Sequence, residues 1–174
     1  GNSNIYNIYI YTNEKTNCIN LFNGGKKSYV YQGTYQDVQF IKEVEKLGIE
    51  ITETKLHQLE KYYEMLTEYN KVMNLTGITE KEEVYLKHFY DSLTLVKIID
   101  INKQETLCDI GTGAGFPGLV LKILFPELKI DLLDSTNKKC LFLQKVIDRL
   151  NLKDINVINA RAEEYAKENR EIYD

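Results

Sequence analysis

From Gln36 onward the apolar positions recur with a helical period. Val38, Ile41, Val44 and Leu47 repeat every three residues, and Gly48 supplies a C-terminal stop. Leu56, Leu59, Tyr63, Leu66 and Met73 mark one face of a long amphipathic helix running towards Asn74. Thr79-Glu80-Lys81-Glu82 has the form of a capping box and predicts a helix through Phe89. Asp91 is placed to cap a further helix whose apolar residues are Leu93, Leu95, Val96, Ile98 and Ile99. After Asn102 the period changes. Thr106 to Ile110 reads as a short buried strand, Leu119 to Phe125 as an apolar helix ended by Pro126, and Lys129 to Leu133 as a second strand closed by Asp134. Lys138 to Leu150 predicts another helix with Leu141, Val146, Ile147 and Leu150 inward, and Ile155 to Asn159 a third strand. Strands alternating with helices over short connections imply an α/β fold with a parallel sheet wound right-handed.

The first 35 residues have a different texture. They hold six of the 13 tyrosines, seven asparagines and only four charges. Ile5 to Tyr11, Ile19 to Phe22 and Ser28 to Tyr31 are rich in β-formers, with Asn23-Gly24-Gly25 as a turn between the last two. A small hairpin and an unstructured leader fit this pattern equally well. The leading Gly1-Asn2-Ser3 has the look of a cloning remnant. The chain therefore divides into a leader (1–35), a helical segment (36–101) and an α/β part (102–174).

Composition narrows the function classes. The 174 residues suit one ordinary domain, and 43% hydrophobic content is enough for a real core. With 22 Lys+Arg against 26 Asp+Glu, the net charge of −4 argues against holding nucleic acid by bulk charge. No apolar run approaches the roughly 20 residues of a membrane helix. The N-terminus shows no signal peptide. Cys18, Cys108 and Cys140 form no CxxC pair, and their odd number points to a reducing, cytoplasmic setting. With only His57 and His88 beside them, no metal-ligand cluster is visible.

The chemistry-bearing feature is the turn after the first parallel strand. Gly113-Ala114-Gly115-Phe116-Pro117-Gly118 satisfies the G-x-G-x-x-G dinucleotide pattern, which would make this an NAD-type domain. The register disagrees, because the strand ends at Ile110 and the first glycine is Gly111. Asp109-Ile110-Gly111-Thr112-Gly113-Ala114-Gly115, an acid two residues before G-x-G-x-G, resembles the pattern of S-adenosylmethionine (SAM) methyltransferases instead. Asp134 ends the second strand, where a carboxylate can accept both hydroxyls of a nucleoside ribose; capping the helix near Lys138 is its plainer role. Arg161-Ala162-Glu163-Glu164 follows the third strand at the same carboxyl edge, and taken alone reads as a solvated helix start. His88 and Asp91 are spaced to share a helix face, although a core histidine and a capping aspartate would look the same.

Read together, these segments resemble one bacterial family. Asn70-Lys71-Val72-Met73-Asn74-Leu75-Thr76-Gly77-Ile78-Thr79, Leu86-Lys87-His88-Phe89-Tyr90-Asp91-Ser92-Leu93, Asp109 to Gly118, Leu133 to Lys139 and Arg161-Ala162-Glu163 occur in the order found in the small-subunit ribosomal RNA guanine-N7 methyltransferases, the glucose-inhibited division protein B family. The resemblance runs from about residue 36 to the end. It implies a class I SAM-dependent methyltransferase fold, a Rossmann-like doubly wound parallel sheet, with 16S rRNA or the small ribosomal subunit as partner. Carried over by position, Asp109, Gly111, Gly113, Gly115 and Phe116 form the cofactor loop. Asp134 then meets the ribose, Ala162 and Glu163 lie beside the adenine, and Asn74, His88 and Asp91 stand at the catalytic mouth.

Family members continue past Tyr173-Asp174 into a fourth strand and a basic tail, so the chain reads as a truncated member. A non-catalytic cofactor-binding fragment is the alternative reading. The truncation leaves the first parallel strand as an open edge, to be covered by the β-prone leader (Ile5–Tyr11 or Ser28–Tyr31) or by self-association with a second chain.

Overall fold

The computed structural model describes residues 6–11, 18–23, 27–32, 35–77, 80–97 and 106–168, with side chains described from Val38 to Tyr165 apart from Glu82. The Gly24-Gly25 turn, Thr79 of the capping box, Ile98, Ile99 and Ile172 to Asp174 lie outside the described residues. The chain forms two compact units, 1–57 and 58–174.

In the first unit β1 (Tyr6–Tyr11), β2 (Cys18–Asn23) and β3 (Lys27–Gln32) form an antiparallel meander, with Tyr11 opposite Cys18 and Asn23 opposite Lys27. Among the described residues these strands pair with each other in a sheet of their own, and not with the first parallel strand as one of the two expectations had it. Neighbouring antiparallel strands joined by short connections satisfy their backbone groups locally. α1 (Tyr35–Lys46) buries Val38, Phe40, Ile41 and Val44. It ends at Gly48, whose φ of 78° lets its N–H reach the Glu45 carbonyl at 2.9 Å. Thr52 caps α2 (Glu53–Met73), its hydroxyl accepting the Lys55 N–H at 3.1 Å.

The second unit holds the parallel sheet. β4 (Thr106–Ile110), β5 (Lys129–Asp134) and β6 (Ile155–Asn159) lie in the order β4-β5-β6. Leu107 pairs with Ile130, and Ile130 with Ile155. α5 (Gly118–Leu124) links the first two strands and α6 (Asn137–Leu150) the next two, giving the parallel α/β sheet anticipated from the alternating pattern. Among the described residues β4 has β5 as its strand partner and β6 forms the other edge.

α5 is buried along its whole length, including Lys122. The Lys122 ammonium donates to the carbonyls of Pro126 and Leu128, which close the helix end. On α6 the inward stripe is Cys140, Phe142, Leu143, Val146, Ile147 and Leu150, while Leu141 is 52% exposed, against expectation. Helical steps of three and four from Leu143 to Val146, Ile147 and Leu150 pass Leu141 by.

Two helical readings also change. On α2 the side chain buried between Leu59 and Leu66 is Tyr62, while Tyr63 is only half-buried. Residues 81–97 form one uninterrupted helical run: α3 (Lys81–Glu83), a π-helical stretch (Val84–Tyr90), α4 (Asp91–Leu93) and a 3₁₀ turn (Thr94–Lys97). Asp91 has helical backbone angles within this run and does not cap a separate helix. The π turns bury Val84, Tyr85 and Phe89. Among the described residues no helix is long and apolar enough to cross a membrane.

Candidate functional site

The site is built on the turn between β4 and α5. Asp109, the penultimate residue of β4, is buried, and its Oδ2 accepts the Thr112 hydroxyl at 2.6 Å and the Gly118 N–H at 2.9 Å. One carboxylate oxygen thus ties the strand to its own turn and to the first residue of α5. Burial pushes the Asp109 carboxyl above the usual carboxylate range, the Thr112 and Gly118 hydrogen bonds oppose this, and the nearby Asp134 charge adds to the rise.

The rest of the turn is stapled to the end of β5. The Leu133 carbonyl accepts the N–H groups of Gly111 (2.8 Å) and Thr112 (3.1 Å), and Asp134 Oδ2 accepts that of Gly113 (2.9 Å). The N–H groups of Gly115 and Phe116 turn back to the Thr112 carbonyl at 2.9 and 3.2 Å. Gly111, Gly113 and Gly115 all have positive φ. Gly115 is the most constrained: at φ 107° a Cβ would stand 2.5 Å from Leu119 Cδ1 and 2.6 Å from the Tyr62 hydroxyl.

This geometry separates two classes of ligand. A dinucleotide loop offers unpaired N–H groups and a helix N-terminus to a pyrophosphate. Here Gly111, Thr112, Gly113, Gly115, Phe116 and Gly118 direct their N–H groups to acceptors within the protein. The start of α5 already faces an internal anion, Asp109. With Asp134 beside it, the turn carries negative charge, which disfavours phosphate and suits a cationic ligand.

Asp134 is buried at the carboxyl end of β5, and its Oδ1 accepts the Thr136 N–H at 2.8 Å. It shapes the turns after β4 and β5 and does not cap α6, which starts from Thr136. The Asp134 carbonyl accepts the Ala160 N–H at 3.1 Å, placing the end of β6 alongside. Ala162 and Glu163 open α7 (Ala162–Glu168) two residues further on and are exposed.

The helical run reaches the turn through His88. Its imidazole stacks on Phe116 with centroids 4.4 Å apart and planes 9° from parallel, and its Nε2 lies 3.2 Å from Thr76 Oγ1. Burial lowers the His88 pKa from its ordinary value; the Asp91 charge opposes this and Lys87 reinforces it. Thr76 is itself held by its N–H to Asn70 Oδ1 at 2.8 Å. The structure thus brings His88, Phe116, Asp109, Asp134 and the glycines together, whereas Asn74 (φ 49°) and Asp91 lie exposed at the end of α2 and in α4.

Three contributors escaped the sequence reading. Tyr62 is fully buried, donates to the Ala114 carbonyl at 2.5 Å and stacks near Phe89 and Phe116. Its steps of three from Leu59 and four to Leu66 were the available signal. Thr112 could have been noticed as a hydroxyl inside a glycine turn. Thr76 carried no local signal.

Comparison with known proteins identifies relatives of the chain. The sequence model of the family described as rRNA small subunit methyltransferase G matches residues 55–174. Proteins named ribosomal RNA small subunit methyltransferase G are similar in sequence: one from an Exiguobacterium species is 51% identical over 129 residues, covering 74% of this chain and 54% of its own length. One from Bacillus pumilus is 50% identical over 138 residues (78% and 58%), and one from Staphylococcus carnosus 44% over 137 (77% and 57%). The chain spans a little over half the length of these curated relatives.

Proposed function

The chain belongs to the rRNA small subunit methyltransferase G family, and on that premise we propose that it holds S-adenosylmethionine for methylation of N7 of a guanine in 16S ribosomal RNA, in the cytoplasm. The observation that carries the choice of cofactor is the turn after β4, whose N–H groups are spent internally and whose flanking acids favour a cation over a phosphate. An NAD-type ligand lacks its cradle here.

SAM, when bound, supplies an electrophilic methyl group on a sulfonium. In this reading Asp134, at the strand end, accepts ribose hydroxyls, and Ala162 and Glu163 border the adenine. Gly111 and Gly113, with open space where a Cβ would stand, allow close approach of the amino-acid part beside Phe116, and Gly115 shapes the turn behind them. Asp109 acts through the turn that it braces. Guanine N7 carries a lone pair and no proton, so its methylation requires no general base. His88, stacked on Phe116, then serves to orient the base, with Asn74 and Asp91 as exposed outer candidates; this is catalysis by proximity.

Separate calorimetric titrations with SAM and NADH test the cofactor, and transfer of labelled methyl to small ribosomal subunits lacking the modification tests the reaction. Binding of SAM but not NADH, with label in guanine, is expected. NADH binding without SAM binding would refute the reading, and SAM binding without transfer would confine this chain to holding the cofactor.

A further inference from the structure

Tyr62 stands outside every motif that identified the site, yet two independent features place its hydroxyl on the cofactor turn. It donates a 2.5 Å hydrogen bond to the Ala114 carbonyl, and it occupies the space a Cβ on Gly115 would need. Its ring is fully buried between Phe89, at a centroid distance of 5.4 Å, and Phe116, at 5.8 Å. Phe116 in turn carries the stacked His88. The turn is therefore held on three sides: Asp109 beneath it, Asp134 at its start, and Tyr62 behind Ala114 and Gly115.

We propose that Tyr62 is the positioning residue that fixes the Ala114–Phe116 arc of the turn, and with it the seat of the cofactor's amino-acid part and the platform under His88. The proposal rests on the SAM reading of the turn. Ala114 and Gly115 are buried, so losing the hydroxyl leaves the Ala114 carbonyl unpaired. The arc can recover a partner only by moving towards water. Burial, helped by the Asp109 charge, raises the phenol pKa well above its ordinary value, which keeps the hydroxyl a donor at any working pH.

Tyr62→Phe in the full chain keeps the ring and removes the bond. Amide hydrogen exchange at 113–116 is expected to quicken at least tenfold without ligand, and the Kd for SAM to rise about tenfold. The Kd for a 16S RNA fragment should stay within twofold. Tyr69→Phe, a ring on the same helix packed on Phe142 and remote from the turn, should leave all three unchanged. Exchange and SAM affinity within twofold of wild type in Tyr62→Phe would overturn the proposal. In the wild type, the Tyr62 hydroxyl proton should give a solvent-protected NMR resonance; its absence overturns the proposal without any variant. A wild-type chain that binds no SAM overturns the functional reading instead, and the exchange rates still decide whether Tyr62 sets the arc.

Discussion

The turns after β4 and β6 leave the same edge of one parallel sheet, yet they are built in opposite ways. The first is tied by the Asp109 and Asp134 carboxylates, the Leu133 carbonyl and the Tyr62 hydroxyl, and much of it is buried. The second has the Ala160 N–H on the Asp134 carbonyl and then runs exposed from Arg161 to Glu164. A cofactor spanning both would meet a preformed seat at one end and a solvated rim at the other. Preorganised contacts cost little further ordering on binding. Affinity should therefore depend steeply on the first turn and weakly on the second.

Gly115→Ala should break the first turn most severely. It combines a left-handed backbone penalty with overlap on Leu119 and Tyr62, roughly 2–4 kcal/mol of stability lost. Urea unfolding should show that loss, and SAM binding should fall below detection. A variant that melts and binds like wild type would show that the turn is not preformed. Asp134→Ala comes next: it strips acceptors from Gly113 and Thr136, about 1–3 kcal/mol, and should weaken SAM binding at least tenfold.

The same contrast explains what the sequence could reveal. The strands and α5 were legible because a short apolar run followed by a glycine turn admits few structures, and Asp109 and Asp134 were legible because strand ends are fixed points. Tyr62 was hidden by the adjacent Tyr63, since either tyrosine extends a helical stripe from Leu59. The π-helical stretch leaves no mark in the sequence, because it differs from an α-helix in its hydrogen-bond register and not in which residues are apolar. Asp91 looked like a cap because aspartate favours both helix starts and helix surfaces. Asn74 and Asp91 stand out in the family pattern, while the left-handed backbone of Asn74 and the Asp91 charge acting on His88 emerge only in the folded chain.

His88 gives a smaller, pH-dependent handle on the first turn. Its pKa is lowered from 6.5, chiefly by burial, so between the lowered value and 6.5 the unfolded chain binds more protons than the folded one. The stability it contributes is complete above 6.5 and is lost as pH falls through the folded value. His88→Phe keeps a ring against Phe116 and removes the titration. The melting temperature of wild type should therefore fall relative to that of this variant on acidification below pH 6.5. A difference that is flat over that range would mean that His88 titrates normally.

Glu163→Ala should have the smallest effect, and it is the sharpest test of the contrast because stability cannot confuse it. Glu163 is exposed at the start of α7, where an acid interacts favourably with the helix dipole by about 0.3–1 kcal/mol. Its removal should leave the unfolding midpoint nearly unchanged. If the second turn borders the adenine, SAM affinity should fall only a few-fold. Binding of 5′-methylthioadenosine should weaken by the same factor, since it retains the adenosine, while that of methionine should not change. A loss as large as that of Asp134→Ala would place a strong contact on the exposed rim and remove the asymmetry between the two turns.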